Sequence, residues 1–258
     1  MICFPKREDV RLGRAPLAEV ICQVRFPPVL RIADEHPVAF QERIRTQFPQ
    51  LDVEQRVMIL RMAPLGTEPP SAKPEPRVFR FRSSEGNTVV SLAANFYALS
   101  TTAYTHWADF LNLLKLVNQA ACDVYDLPYA VRVGLRYINR LTFGNTGTSS
   151  ATELWEILRP ELTLLLRDNC WDEPLEMASQ LMLTADEGER LTLRSGFKGG
   201  EEPVFLLDFD YFAEDNISLE SLPALCSRYH DAIYNAFRWC IREGKLAAFA
   251  PVPVAQEE

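Results

Sequence analysis

The stretch VRVGLRYINRLTF, Val131 to Phe143, decides how the chain is read. Its odd positions are Val131, Val133, Leu135, Tyr137, Asn139, Leu141 and Phe143. Its even positions are Arg132, Gly134, Arg136, Ile138, Arg140 and Thr142. Alternation with period two, with β-branched residues on one side, is the pattern of a half-buried strand. The four-residue spacing of the arginines would also align them on a helix, but Gly134 and the alternating apolar residues oppose that reading. Arg132, Arg136 and Arg140 therefore project from the face opposite the core. Gly134 leaves a gap between two of them, where a neighbour or a ligand could approach the backbone. Asn139 is an amide among apolar neighbours. It marks a bulge or pairs with buried backbone, because an unpaired buried amide is costly.

Two readings of the arginine row compete. In VFLLDFDYF (204–212), Asp208 and Asp210 lie on one face, with Phe209 and Tyr211 on the other. Carboxylates and guanidiniums on one sheet surface predict cross-strand ion pairs, each contributing ~0.2–1 kcal/mol. The functional reading is a site for an anionic ligand or acidic partner at Arg132, Gly134, Arg136, Asn139 and Arg140, since the guanidinium fork matches carboxylate and phosphate.

Working outward, Leu17–Phe26 alternates and stops at Pro27-Pro28, a strand. DEHPVAFQERIRTQF (34–48) reads as a helix capped by Asp34, with Pro37 in its first turn and Phe40, Ile44 and Phe48 on one face. Val53–Met62 reads as a strand. The proline-rich 63–76 reads as a mobile loop. Arg77–Ser83 and Thr88–Leu99 are strands around a turn at 84–87. THWADFLNLLKLVNQAACDVYDL (105–127) is a long amphipathic helix. Tyr129–Phe143 then begins a second series. Residues 143–150 read as a flexible loop. Ser150 and Glu153 form a capping-box signature opening a helix over Thr152–Leu166. Strands follow at Leu175–Thr184, Arg190–Phe197 and Pro203–Phe212. Ser218 caps a final helix running to about Glu243, stopped by Gly244. The last residues, 251–258, read as a disordered tail.

The order strand, helix, three strands, helix thus occurs twice, over 1–127 and 128–250. VICQVRF (20–26) aligns with VRVGLRY (131–137) at an offset of 111, and VVSLAANFYA (89–98) with VFLLDFDYFA (204–213) at an offset of 115. These matches point to an internal duplication. The expected architecture is α+β: two tandem repeats forming antiparallel sheet with helices packed on one face. The TATA-binding-protein-like and helix-grip folds share this general plan, an analogy that carries no function.

Bulk properties narrow the function classes. The chain has 258 residues, 47% hydrophobic and 24% charged, long enough to bury a sizeable core without staples. Its net charge of −8 argues against broad binding to phosphate backbones. Residues 1–127 carry 15 Lys+Arg and 14 Asp+Glu, net +1; residues 128–258 carry 12 and 21, net −9. An acidic half suits a basic protein partner, or solubility alone. None of the six cysteines, Cys3, Cys22, Cys122, Cys170, Cys226 and Cys240, forms a C-x-x-C pair, so no metal site is indicated. The N-terminal MICFPKREDVRLGR is too soon charged for a signal peptide, and no run approaches the ~18 apolar residues of a membrane span. A cytoplasmic location, reduced thiols and no membrane contact are expected.

Three short marks add a resemblance: Pro16-Leu17-x-x-Val20, Gly134-x-Arg136-Tyr137-x-Asn139-Arg140, and His230-x-x-Ile233-x-x-x-Phe237. In their order and spacing the chain resembles, over nearly its whole length, a sporadically distributed, uncharacterised family of prokaryotic proteins. The resemblance implies a bacterial or archaeal origin and no catalytic roles. The scattered distribution of that family looks like that of mobile, defence-associated or toxin–antitoxin-like genes.

Other chemistry is sparse. Cys226 and His230 are i, i+4 on one helix face, a pairing that serves a nucleophile or half a metal site, though no second pair accompanies it. Segment 143–150 lacks both the P-loop ending and the dinucleotide fingerprint, so no cofactor is indicated. RVFRFR (77–82) sets Arg80 and Arg82 against Phe79 and Phe81 on opposite strand faces, a half-buried strand or a basic–aromatic surface for nucleic acid. Trp239 lies off the apolar stripe of the last helix and is a candidate partner contact. The leading expectation is a non-enzymatic binding or regulatory accessory protein that recognises a protein partner. The alternative is nucleic-acid or nucleotide recognition on the arginine-bearing sheet surface. A third reading is an enzyme using Cys226 and His230.

Overall fold

The strand read from Val131–Phe143 forms over Arg132–Leu141 (β7) and pairs antiparallel with Leu17–Arg25 (β2), with Gln23 opposite Gly134. This pair joins the two halves of the chain into one nine-stranded sheet. The computed structural model describes residues 4–8, 10–52, 77–167, 170–171, 174–185 and 188–253. The sheet also contains Gln50–Asp52 (β3), Val78–Arg82 (β4), Thr88–Ala93 (β5), Phe96–Thr101 (β6), Glu176–Thr184 (β8), Arg190–Lys198 (β9) and Val204–Ala213 (β10). Its order is β3-β4-β5-β6-β2-β7-β10-β9-β8, and every neighbour is antiparallel. The protein is thus α+β, built around one large antiparallel sheet.

One sheet face carries the core. Register places Cys22, Leu99, Leu135 and Tyr211 side by side on it. The helices Val38–Ile44 (α2), Trp107–Tyr125 (α3), Ala151–Ile157 (α5) and Leu222–Cys240 (α7) reach this same face. Phe40 packs on Phe81, Tyr97 donates to Asn118, Trp155 meets Phe197 edge-on, and Tyr229 lies against Tyr211. Phe79, Phe81, Phe205 and Phe209 are almost wholly buried there. Each contributes roughly 1.5–3 kcal/mol by leaving water.

Several local expectations change. The helix expected over 34–48 is two short ones, Leu30–Asp34 (α1) and α2, so Asp34 ends a helix and Pro37 is the N-cap of the next. The strand expected over Thr88–Leu99 is the hairpin β5–β6, turning at Ala94-Asn95. Segment 143–150 is not plain loop. Phe143–Thr146 forms a helical turn (α4), held by Asn145 Oδ1 accepting from Thr142 N at 2.9 Å. The helix expected over Thr152–Leu166 stops at Ile157, and Pro160 starts the next one, Pro160–Thr163 (α6). Ser150 caps α5 as expected, accepting from Glu153 N at 3.2 Å. The final helix starts at Leu222, so Ser218 sits in the preceding turn. Residues 251–253, expected in the tail, form a strand (β11) paired with Val10–Leu12 (β1). The strand expected at 53–62 and the proline-rich segment 63–76 lie outside the described residues, as do 254–258. Among the described residues, no helix is long and apolar enough to cross a membrane.

Candidate functional site

The face opposite the helices carries the arginine row. Asp208 lies directly across from Ile138 on β7 and from Arg194 on β9. It is only 2% exposed, although its face bears no core. Burying a carboxylate costs several kcal/mol unless it is paired, and here guanidiniums provide the pairing. Arg136 reaches diagonally to both Asp208 oxygens, its Nε and Nη2 each donating at 2.7 Å. Arg194 Nη1 adds a third contact at 3.3 Å, while its Nε donates to Gln180 at 3.0 Å. Donation of these hydrogen bonds to Asp208 pushes the Arg136 pKa above its ordinary value, with burial opposing.

Arg132 occupies the second unit. Its Nη2 donates to Asp210 at 3.1–3.3 Å, and its guanidinium lies 4.5 Å over the Phe212 ring. The gap at Gly134 is where it lies: a Cβ on Gly134 would sit 2.6 Å from Arg132 Nη1. The neighbour that approaches this backbone is therefore the side chain two residues away. Asn139 meets both parts of its sequence reading. Its Nδ2 donates to the Leu207 carbonyl at 3.3 Å, and the β2–β7 register slips beside it, between Leu17 and Glu19. Arg140 is exposed; its main chain is tied to Pro16 and Asn145, and no partner is seen for its guanidinium among the described residues. Arg25, the sequence counterpart of Arg136, stands opposite Arg132 and is exposed, with no carboxylate partner among the described residues.

The remaining candidates lie elsewhere. Arg80 and Arg82 share the uncovered face but sit on β4, three strands from β2. Arg82 Nε donates to Asp52 at 2.5 Å. Trp239 is half-buried at the far end of α7, where it contacts Phe4 and underlies the Arg159 guanidinium. Cys226 and His230 part company. Cys226 Sγ lies 3.7 Å from Cys22 Sγ, whereas His230 Nδ1 bonds the Tyr137 hydroxyl at 2.7 Å and its ring stacks on Trp107. The hydrogen bond with Cys226, then burial, raises the Cys22 pKa well above that of an ordinary thiol. Burial likewise raises Tyr137. Cys22 and Tyr137 are thereby held neutral, and the separate partners of Cys226 and His230 suit structure more than nucleophilic chemistry. Among the described residues no group of three or more His, Cys, Asp or Glu is placed to hold a metal.

The three marks of the sequence resemblance converge. Pro16 O accepts from Arg140 N at 2.7 Å, Val20 pairs with Tyr137, and Tyr137 reaches His230. They form one seam through β2, β7 and α7. No family model matches the chain, and no curated protein matches it in sequence.

Sequence reasoning missed two features. Arg194 was readable as a polar position on an alternating strand, but its pairing with Asp208 depends on strand order. Four arginines, Arg7, Arg159, Arg238 and Arg242, gather around one pocket at the C-terminal end of α7. Arg238 and Arg242 are four apart at the end of one helix, but no local pattern connects that pair with Arg7 or Arg159.

Proposed function

We propose that the chain is a non-enzymatic binding protein, built on a duplicated unit, that recognises a protein partner by strand addition at β8. The carrying observation is the state of that edge. β8 is nine residues long and, among the described residues, ends the sheet. Gly199 N donates to Leu175 O, and Ala185 N to Glu189 O, so odd residues of β8 bond inward to β9. Glu176, Ala178, Gln180, Met182 and Thr184 then turn their N–H and C=O groups outward, a row of open hydrogen-bonding positions. Among the described residues eleven large apolar side chains are exposed, and four of them, Trp171, Leu175, Leu181 and Met182, fall in or just before this strand. Long apolar edges pair unless lysine, proline or a bulge protects them, and Met177–Thr184 carries neither residue. The opposite edge, β3, shows only three paired residues.

The occupant is an extended segment of another protein, apolar at alternate positions and basic at its ends. Charge selects it over a second copy. Asp172-Glu173 and Glu176 precede the strand in sequence and Asp186-Glu187 follow it, within a half of net charge −9. An antiparallel self-pair would bring like-charged ends together. The nucleic-acid alternative has weaker support, because Arg132 and Arg136 are already neutralised by Asp210 and Asp208.

Duplication is supported by the central register. An offset of 111 carries Gln23 onto Gly134, which is its own cross-strand partner. A twofold axis through that pair requires this coincidence. The order β4-β5-β6-β2 then mirrors β8-β9-β10-β7. The second sequence match does not survive, since 89–98 spans a hairpin and 204–213 a single strand.

Selection from a random peptide library tests the binding reading. Peptides with alternating apolar residues and basic flanks are expected. They should lose binding to Ala178→Pro, which removes one outward N–H, and to Met182→Lys, with the far-ultraviolet circular dichroism unchanged. Selected peptides that bind both variants equally, or a wild-type chain that dimerises through β8, would overturn it.

A further inference from the structure

We infer that the arginine pocket at the end of α7 is a binding site for a phosphoryl group carried by a small molecule. It is separate from the β8 edge and does not rest on that reading. The cavity, of about 110 Å³, is lined by Arg7, Arg159, Arg238 and Arg242, with Glu243 as its one carboxylate and Ile241 and Leu246 as apolar lining. A single water needs roughly 10–15 Å³, so the space accommodates a tetrahedral oxyanion with its substituent.

The arginines are brought together by three pieces of chain, the N-terminal segment, the α5–α6 junction and the end of α7, which carries both Arg238 and Arg242. Arg7 N donates to Asn235 Oδ1 at 2.9 Å, which lays the N-terminal segment along α7. Arg242 N donates to Ile157 O at 2.8 Å, which ties the end of α7 to the end of α5. Arg159 Nε donates to Trp239 O at 2.6 Å, and its guanidinium lies 4.8 Å from the centre of the Trp239 ring. Arg238 Nη1 donates to the Tyr234 hydroxyl at 2.8 Å and to Glu8 O at 3.2 Å. All these partners are neutral. They fix the backbone of Arg7 and Arg242 and orient the guanidiniums of Arg159 and Arg238, without cancelling any charge.

Compensation by carboxylates is slight. Glu161 stands 3.8 Å from Arg159 Nη1 and is itself 63% exposed. Arg7, Arg238 and Arg242 make no ion pair among the described residues. The lining thus carries four positive charges against one negative, in a chain whose net charge is −8. On the sheet face the same chain pairs the guanidiniums of Arg132, Arg136 and Arg194 with aspartates. Here it has 35 acidic residues to draw on and places one. A helix C-terminus favours nearby cations, and Arg159 serves that end directly. That preference accounts for one or two arginines, not for four converging on a hollow. Guanidinium forks in this number, two of them held by neutral groups, match the several oxygens of a phosphate better than a single carboxylate.

Isothermal titration with inorganic phosphate, pyrophosphate and ATP tests the site, with citrate as the carboxylate control. Pyrophosphate or ATP should bind more tightly than phosphate, and binding should weaken as salt is raised from 50 to 300 mM. Arg242→Ala and Arg7→Ala, both at exposed positions, should each weaken binding about tenfold or more, with unchanged unfolding midpoints in the absence of ligand. Arg242→Lys should restore only part of it. The inference fails if none of the phosphate probes binds at millimolar concentration, if citrate binds as well as pyrophosphate, or if the arginine variants alter stability but leave the titration unchanged.

Discussion

Replacing Arg136 by alanine separates the two readings of the arginine row. The substitution strips the Asp208 carboxylate, 2% exposed, of two hydrogen bonds of 2.7 Å. Charge-assisted hydrogen bonds contribute ~1.5–3 kcal/mol each, and breaking a fully buried pair from one side costs ~3–5 kcal/mol. Two features reduce that figure. Arg194 still contacts Asp208 at 3.3 Å, and Arg136 is 41% exposed, so water enters the space it leaves. The expected loss is about 2–3 kcal/mol, which for a chain of this size lowers Tm by roughly 4–12 °C. Arg136→Lys keeps the charge but loses the parallel geometry, and should fall by about 1 kcal/mol. Arg140→Ala, exposed, should stay within about 0.5 kcal/mol of wild type. Urea unfolding followed by tryptophan fluorescence measures all three. A double-mutant cycle of Arg136→Ala with Asp208→Asn should return about 2 kcal/mol of coupling. If Arg136→Ala and Arg140→Ala prove equally harmless, the ion pair is not structural and Arg136 is available to a ligand.

Three further outcomes follow from the same geometry. Gly134→Ala should cost about 1 kcal/mol by displacing the Arg132 guanidinium from Phe212, and should cost almost nothing in an Arg132→Ala background; an equal cost in both backgrounds would mean that backbone conformation, not space, requires glycine there. Stability should decline on the alkaline side. Cys22 and Cys240 have pKa values raised in the folded chain, so the folded state retains protons the unfolded state loses; stability is complete below about pH 8.5, falls by up to ~1.4 kcal/mol per pH unit per thiol above it, and falls more steeply above about pH 10 as Tyr97 and Tyr137 add to it. Urea midpoints unchanged between pH 7 and 10 would contradict this. Under native conditions iodoacetamide should label the exposed Cys170 and reach Cys22, Cys226 and Cys240 only as fast as the chain unfolds; mass spectrometry showing Cys226 labelled first would revive its pairing with His230 as chemistry.

What was legible in the sequence was local. The alternation of β7 needs only thirteen consecutive residues, and it fixed the face of every arginine correctly. Asn139 was legible for the same reason, since an amide on an apolar face has few affordable partners. Two misreadings were also local. Ala94-Asn95 turns the chain without glycine or proline, so the β5–β6 hairpin carries no strong turn signal. Pro160 did carry one, and the helix read through it was too long. Pairings were not legible, because they depend on which strands lie side by side. Asp208 faces Ile138 and Arg194 across its two neighbours, yet its shortest bonds run diagonally to Arg136. The helical spacing of Cys226 and His230 was real but uninformative, since each side chain meets a different strand, Cys22 on β2 and Tyr137 on β7.

The same distinction orders the functional readings. A charge that the fold neutralises contributes little to binding, because a ligand must first replace its partner at comparable cost. Arg132 and Arg136 are in that position, for all that they stand out in the sequence. Arg7, Arg238 and Arg242 are not; no carboxylate pairs with them among the described residues, and nothing in the sequence draws attention to them as a group. The outward backbone groups of β8 are likewise unspent by the sheet. Unsatisfied groups, rather than conspicuous ones, are where binding free energy remains available. That places the proposed sites at the two margins of the fold, the β8 edge and the end of α7, and not on the arginine row at its centre.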